Sequence, residues 1–525
     1  MVWSLIAILL LWLGSAVFHA VELGLDEHYE LTKGLLWTKG VTLYHPLWND
    51  QPPVLTVLLG VSFQVFGPGI AVARAVALGF GLALLVMLAV MVRRTAGPLA
   101  AALAVFCLLS APLVLILAVS AMLEVPAIGT ALWALWPILR WRQTISAPEA
   151  GSGPAEEVGP RPANMLPTRR TDHWRAFRLP TWFWLMLSSV VLAVALQIKL
   201  TAAIAAPALV SELLCGRDAA GRAPRWRKRL RGIGLWAANL AVCYAVIGAL
   251  AGQVPPGVLW ASHFSKAVRA ASMADAPALP YWPGLWTDYG EALCGAGLSL
   301  LVLGWQRRWQ TLRFPLVWLL TAALVHAVHR PYWSMYSLHF AVPLAWLTGC
   351  GIAELFRLAE ANIAETTVAA RQIGFLFLAG GSVLLAALAT YGGERLWSEA
   401  TRIRQLPRVG DSALVADMRR HAGLTRWVYT RETIYPFHAG LLVVPELAVL
   451  PSKRFWSGQI TDNQIWDTVR RYQPEQLLLQ GDALPPGISE FVEAGYTPVC
   501  REQGLVLYVA KTLTAGRNPD SHGEP

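Results

Sequence analysis

Charge is scarce in this chain. Asp, Glu, Lys and Arg supply only 14% of 525 residues while hydrophobic residues supply 55%, at a mean hydropathy of +0.46. That balance excludes an ordinary soluble globule and a disordered chain. Cysteine is equally sparse, and Cys107, Cys215, Cys243, Cys294, Cys350 and Cys500 show no CxxC or metal-ligand spacing. Neither a disulfide framework nor a zinc site is indicated. The N-terminus lacks the basic stretch of a cleaved signal, so residues 2–19 read as an uncleaved first span. The net charge of +10 does not point to nucleic acid, because the basic residues crowd into a few short connectors. Such residues set membrane topology.

What is present is a series of long apolar runs. Spans of about 20 residues match a hydrocarbon core of roughly 30 Å. They are expected at about 2–19, 69–91, 98–119, 125–140, 181–198, 200–215, 233–252, 287–304, 314–329, 337–354 and 373–391. Arg93 and Arg94, Arg140 to Arg178, Arg217 to Arg231, Arg307 to Arg313 and Arg357 to Arg371 occupy every second connector, which places those connectors in the cytoplasm. Eleven spans then put the C-terminal tail outside, with the connector from Val21 to Pro53. Residues 141–180, rich in Pro, Gly, Ser and Glu, read as flexible filler.

The first outer connector concentrates ionisable groups between two apolar runs: Glu22, Asp26, Glu27, Glu30, Lys33, Lys39, His45 and Asp50. An ionised group among lipid costs roughly 2.5 to 3.5 kcal/mol, so these acids need a reason. A helix over Glu22 to Lys33 puts Glu22, Asp26 and Glu30 on one face. Pro52 and Pro53 bar helix just before them and hold Asp50 and Gln51 in an extended approach to the next segment. The alternatives are a solvated acidic loop at the membrane edge and a site in which a rigid acid faces a helical one.

Other charges fall on the same outer side. Glu124, two residues before Pro126, opens the fourth span as either a surface acid at a helix start or a cavity acid. Lys199, at the turn between the fifth and sixth spans, either snorkels to water or meets a phosphate. The loop from about 252 to 286 carries Trp260, Phe264 and Trp286, suited to the headgroup level, together with His263 and Lys266. His326 and Arg330 sit a helical turn apart near Tyr332, and an arginine fork suits a phosphate dianion. Beyond about 393 the composition turns mixed. Runs at 427–430, 441–445, 476–480 and 505–510 read as strands, and Thr461 with Gln464 opens an amphipathic helix with a capping box. This tail reads as a small α/β domain with no GxGxxG, P-loop or nucleophile elbow.

The run DEHYELTKGLLWTKGVTLYHPLWNDQPPVLTVLLGVSFQVFGPGIAVARA resembles the first outer loop and second span of bacterial protein-mannosyltransferase-like enzymes, glycosyltransferase family 39. It is also similar to the aminoarabinose lipid A transferases, both of the GT-C membrane class. The resemblance implies that Asp26 is the catalytic acid after the first span, that Asp50 and Gln51 are the polar pair before proline, that Glu124 is the acid opening the fourth span, and that Lys199 is the lysine between the fifth and sixth. Gln51 replaces the lysine often found before proline, and Glu124 stands where aspartate is common.

The fold class implied is a polytopic α-helical membrane protein of about eleven spans, GT-C-like, with a small extracytoplasmic α/β domain. Its divisions are expected at 1–392, 393–515 and a disordered tail at 516–525. The function implied is transfer of a sugar from a polyprenyl-phosphate donor to a glycan, lipid or protein acceptor at the outer face of a bacterial plasma membrane. Expected catalytic residues are Asp26, Glu27, Asp50 and Glu124; expected donor-binding residues are Gln51, Lys199, His263, His326, Arg330 and Tyr332. Metal use stays open between a divalent cation held by two of the carboxylates and a metal-independent transfer. The alternatives are a transporter or flippase of lipid-linked sugars and an inactive scaffold acting through its tail.

Overall fold

The computed structural model describes residues 26–145, 180–215, 226–275, 281–329, 332–406, 408–481 and 486–514. The expected span at 2–19, residues 146–179 of the expected filler and the tail from 515 lie outside the described residues, while 141–145 continue the helix Leu135–Ile145. Six helices are long and apolar enough to cross a membrane: Ile70–Leu109, Thr181–Ile198, Trp226–Ala251, Trp309–Val328, Ser334–Ile363 and a run from Val368 to Arg420. The protein is therefore a mostly helical, multi-span membrane protein.

Breaks in these helices follow the residues that force them. Helix α1, Glu27–Thr38, starts directly after Asp26. The two prolines then keep residues 49–53 out of helix, and α2, Val54–Phe66, begins behind Pro53 and stops at Gly67, whose φ of 84° suits glycine. Helix α3, Ile70–Leu109, kinks at Gly97, where φ is 91° and Pro98 follows. The short helix Val114–Val119 that follows packs beside the first arm, since a side chain on Gly81 would meet Ala118 at 3.1 Å. The sequence expected two spans there, at 69–91 and 98–119; a single long helix kinked at Gly97 covers 70–109, and the rest of the second run forms the short helix Val114–Val119. Helix α4, Glu124–Trp133, opens on Glu124 itself. Helix α5, Thr181–Ile198, ends at Lys199, which is extended (φ −154°, ψ 131°) before a 3₁₀ turn at Leu200–Ala205.

The basic connectors gather at one end of the bundle. Glu212 pairs with Arg142 at 2.5 Å and with Arg313 at 2.7 Å, and Glu354 pairs with Arg308 at 2.7 Å and Arg357 at 2.5 Å. Three connectors that the sequence assigns to one side are thus tied together by shared carboxylates.

At the other end sits a four-stranded mixed sheet of order β1-β2-β4-β3: β1 Val428–Thr430, β2 Gln476–Gln480, β3 Tyr496–Glu502 and β4 Leu505–Ala510. β1 and β2 are parallel and the other pairings antiparallel. The expected helix is present at Asp462–Tyr472, its capping box closed by Thr461 and Gln464. The run at 441–445 is a single bridge, Val443 to Val428, and not a strand. The expected boundary at 392/393 falls within a continuous helical segment, where Val368–Ala387 passes through a π turn into Gly393–Gln405.

Small residues let the bundle's helices approach. A side chain on Gly349, in Leu338–Ile363, would lie 2.4 Å from the Ala100 carbonyl oxygen and 2.8 Å from the Ala104 nitrogen, both backbone atoms that cannot yield. Gly349→Ala is expected to destabilise the protein by about 1 to 3 kcal/mol, the usual range for overpacking. Gly297→Ala, with open space around it, is the control. Equal thermal unfolding midpoints of the two variants in detergent would contradict this packing.

Candidate active site

The cavity-forming end of the bundle encloses a space of about 390 Å³ between the loop before α2, the starts of α1 and α4, the 333–336 turn and the C-terminal domain. Asp26, Asp50, Gln51, Glu124 and Lys199 all line it, although they come from four separate parts of the sequence. Lys33, Tyr336, Arg431, Glu432 and Lys453 complete its polar wall.

Helix geometry sorts the acids of the first loop. Asp26 and Glu27 are adjacent, so a turn of about 100° separates their directions. Glu27 points into the bundle, where both carboxylate oxygens accept from Arg74 at 3.0 and 2.7 Å and Oε1 also accepts from the Ala121 backbone N–H at 2.8 Å. Arg74 is wholly buried. Glu27, expected among the catalytic acids, is held in this ion pair and does not line the cavity. Glu30 shares the side of Asp26 but is taken by Lys33 at 2.7 Å and by Thr56 at 3.3 Å. Asn49 accepts from the same Lys33 ammonium at 3.0 Å, which fastens the loop to α1.

Asp50 and Glu124 are paired as well. Asp50 Oδ2 accepts from Lys453 at 2.9 Å and lies 3.2 Å from His263 Nε2. Burial acts to raise the Asp50 pKa, but the Lys453 ammonium and the His263 contact outweigh it and hold the carboxyl well below its usual range. Lys453 is affected in turn: burial works against its charge, yet Asp50 carries its pKa above the usual lysine value. Glu124 Oε1 accepts from Lys199, whose ammonium also stands over the Tyr336 ring at 5.5 Å from its centroid. Glu124 Oε2 is buried with no protein partner among the described residues.

Asp26 differs from all of these. Among the described residues its carboxylate makes no ion pair or hydrogen bond, and it is exposed to the cavity while enclosed by protein. Desolvation raises its pKa above 3.8; Glu124 and Asp50 push in the same direction, while Lys453 and Lys199 oppose. A carboxylate short of partners and poised to take a proton is the chemistry of a general base.

The remaining expected residues fare differently. His263 reaches Asp50 from behind. His326 is buried in the bundle, its Nε2 2.8 Å from His339 Nδ1, and Tyr332 packs edge-on against it at 5.4 Å; neither lines the cavity, because the helix turns that face inward. Arg330 lies outside the described residues. Lys453 and Arg431 were not anticipated, since they belong to the mixed tail, where a basic residue carries no signal of its own. Among the described residues no three His, Cys, Asp or Glu side chains are grouped to hold a metal ion.

No protein-family model matches the chain, and no curated protein sequence matches it. Its fold is similar to that of ArnT from Cupriavidus metallidurans, with a TM-score of 0.57 to the apo crystal structure at 15% identity over 97% of this chain and 98% of that one. The ArnT structure bound to undecaprenyl phosphate gives 0.58 at 15% identity over 96% and 97%. The archaeal oligosaccharyltransferase AglB from Archaeoglobus fulgidus, in complex with an inhibitory peptide and a dolichol-phosphate, gives 0.51 at 11% identity over 86% of this chain and 65% of that one. These likenesses establish a GT-C-like fold.

The different environments of Asp26 and Glu27 make opposite predictions. A carboxyl whose folded pKa is raised binds its proton more tightly in the native state, so its cost to stability is absent below pH 3.8 and grows as pH rises through the folded value. Asp26→Asn is expected to unfold at a higher temperature than the wild type at neutral pH, with the gap closing on acidification. Glu27→Gln breaks the buried ion pair with Arg74 and is expected to lose about 3 to 5 kcal/mol. Thermal unfolding of both variants across pH is the measurement, and destabilisation by Asp26→Asn at neutral pH would contradict it.

Proposed function

We propose that this protein is a GT-C glycosyltransferase that moves a sugar from a polyprenyl-phosphate donor to an acceptor hydroxyl at the extracytoplasmic face of the membrane. Within that class we read it with the family 39 and aminoarabinose lipid A transferase-like enzymes, a reading supported by the resemblance of the run that starts at Asp26. The observation that carries this reading is the unpaired Asp26 carboxylate in a cavity that also holds lysines tethered to carboxylates. ArnT with undecaprenyl phosphate and AglB with a dolichol-phosphate support the donor class by likeness of fold.

The proposed chemistry follows from the groups present. Asp26 accepts the proton of the acceptor hydroxyl as its oxygen forms a bond to the anomeric carbon. The bond from that carbon to the phosphate oxygen breaks, and the electron pair leaves with the polyprenyl phosphate. Lys199, held by Glu124 and Tyr336, stabilises the charge gathered on the departing phosphate in a water-poor site. Glu124 positions Lys199, and Gln51 lines the donor side.

The basic connectors at the opposite end orient the cavity outward, in the plasma membrane of a bacterium, with membrane lipids around the bundle and a glycan, lipid or protein as acceptor. A transporter of lipid-linked sugars would call for charged groups at the bilayer midplane. The charged groups here instead gather at the two ends of the bundle.

With protein in lipid nanodiscs and polyprenyl-phosphate sugars as donors, Asp26→Asn is expected to lower kcat by about 10² to 10⁴ while donor binding persists. Lys199→Ala is expected to raise the donor KM and to lower kcat. Turnover like wild type in Asp26→Asn would end the base assignment.

A further inference from the structure

The C-terminal domain does more than rest on the bundle. Its five-residue helix Ser452–Trp456 and the residues just after it meet three loops of the membrane domain. Lys453 reaches Asp50, and the ring of Trp456 lies 6.2 Å from that of Trp333 at an interplanar angle of 4°. Gln459 accepts from Trp48 Nε1 at 2.7 Å and donates to Ser262 Oγ at 3.0 Å. This segment therefore has a defined position over the cavity, and Lys453 is held at the wall with its side chain 16% exposed.

The three cavity lysines are not equally free to leave their partners. Lys199 is the only ion-pair partner of Glu124 among the described residues, and Glu124 Oε2 already has no partner, so removing Lys199 would strand a buried carboxylate. Lys33 is shared by Glu30 and Asn49, and its loss would undo the tie between α1 and the loop. Asp50 alone has a second basic partner, His263 at 3.2 Å, besides Lys453. Lys453 can turn toward an incoming anion while Asp50 keeps a donor. Lys453 and Asp26 line the same cavity, and the lysine's charge opposes the rise in the Asp26 pKa.

We propose that Lys453 binds the phosphate of the lipid donor, so that the C-terminal domain contributes a ligand to the site and Asp50 with His263 holds that lysine ready between turnovers. This rests on the lipid-phosphate reading given above. It gives the extramembrane domain a direct part in donor recognition.

The test is binding of undecaprenyl phosphate alone to the full-length protein in nanodiscs, followed by native mass spectrometry, with no sugar or acceptor. Lys453→Gln is expected to weaken binding by about tenfold or more, the scale of one charge-assisted contact. Lys453→Arg is expected to retain most of it, and Gln51→Lys added to Lys453→Gln to restore part, because residue 51 lines the same wall. If Lys453→Gln lowers the unfolding midpoint, Asp50→Asn with Lys453→Gln removes both charges together, and weak binding by that folded double variant supports the assignment. Wild-type affinity in the folded single or double variant overturns it. Failure of folded wild-type protein to bind undecaprenyl phosphate at all would instead remove the lipid-phosphate reading itself; binding that falls with Lys199→Ala but not with Lys453→Gln removes only the role of Lys453.

Discussion

A carboxylate among apolar helices is costly unless a cation meets it, and that requirement organises the charged end of this protein. Glu27 is met by Arg74, Glu30 by Lys33, Glu124 by Lys199 and Asp50 by Lys453. Three of the four pairs join separate elements: Arg74 binds α3 to α1, Lys199 binds the α5 end to the α4 start, and Lys453 binds the C-terminal domain to the loop before α2, while the Glu30 pair lies within α1. The pairs are fasteners as well as neutralisers. Against that background an acid with no cation is conspicuous, because the fold has met the same need four times within a short distance and not at Asp26.

The pairing also explains why the extramembrane domain stays in place. Its apolar contact is continuous with the bundle core, Phe437 lying 5.8 Å from Phe63 and Val443, Ala448 and Val449 packing with Leu36, Leu47 and Trp48. Polar contacts give that junction its register, since Gln459 can satisfy Trp48 and Ser262 together only in one position. Arg454 adds to this by standing over the Trp48 ring while donating to the Glu446 and Val449 carbonyls, so the helix that carries Lys453 is braced on both sides.

Much of the bundle was legible because lipid imposes length and polarity on a span, and the basic connectors mark one end. The Gly97-Pro98 turn and the break at Lys199 both interrupt apolar runs where the sequence changes character. The sheet was harder to read. β3 escaped notice because Pro498 sits inside it, a residue that argues against a central strand. It is an edge strand with an irregularity between Pro498 and Cys500, the setting in which proline is tolerated. The reverse error at 441–445 has a related cause: its valines looked like strand residues, but their burial comes from docking against the first loop. Apolar β-branched runs report that a surface will be covered and not what will cover it.

The site divides along the same line. Asp26, Asp50, Glu124 and Lys199 stand out because an ionisable residue beside long apolar runs is unusual, whatever surrounds it in three dimensions. Lys453 does not, since a lysine in a mixed, solvent-facing segment is ordinary, and only a contact spanning 403 positions gives it meaning. Glu27 shows the converse: its neighbour in sequence is the free acid, yet one residue of helix rotation carries it to Arg74 and a buried ion pair. A cavity between membrane helices and an extramembrane domain has one wall in the bundle and one in a segment of mixed composition. The membrane wall announces itself in sequence because lipid makes its charges rare, whereas the water-side wall stays hidden until the chain is folded. The cation at Lys453 belongs to that second wall, which is why the chemistry of the cavity cannot be assigned to the membrane helices alone.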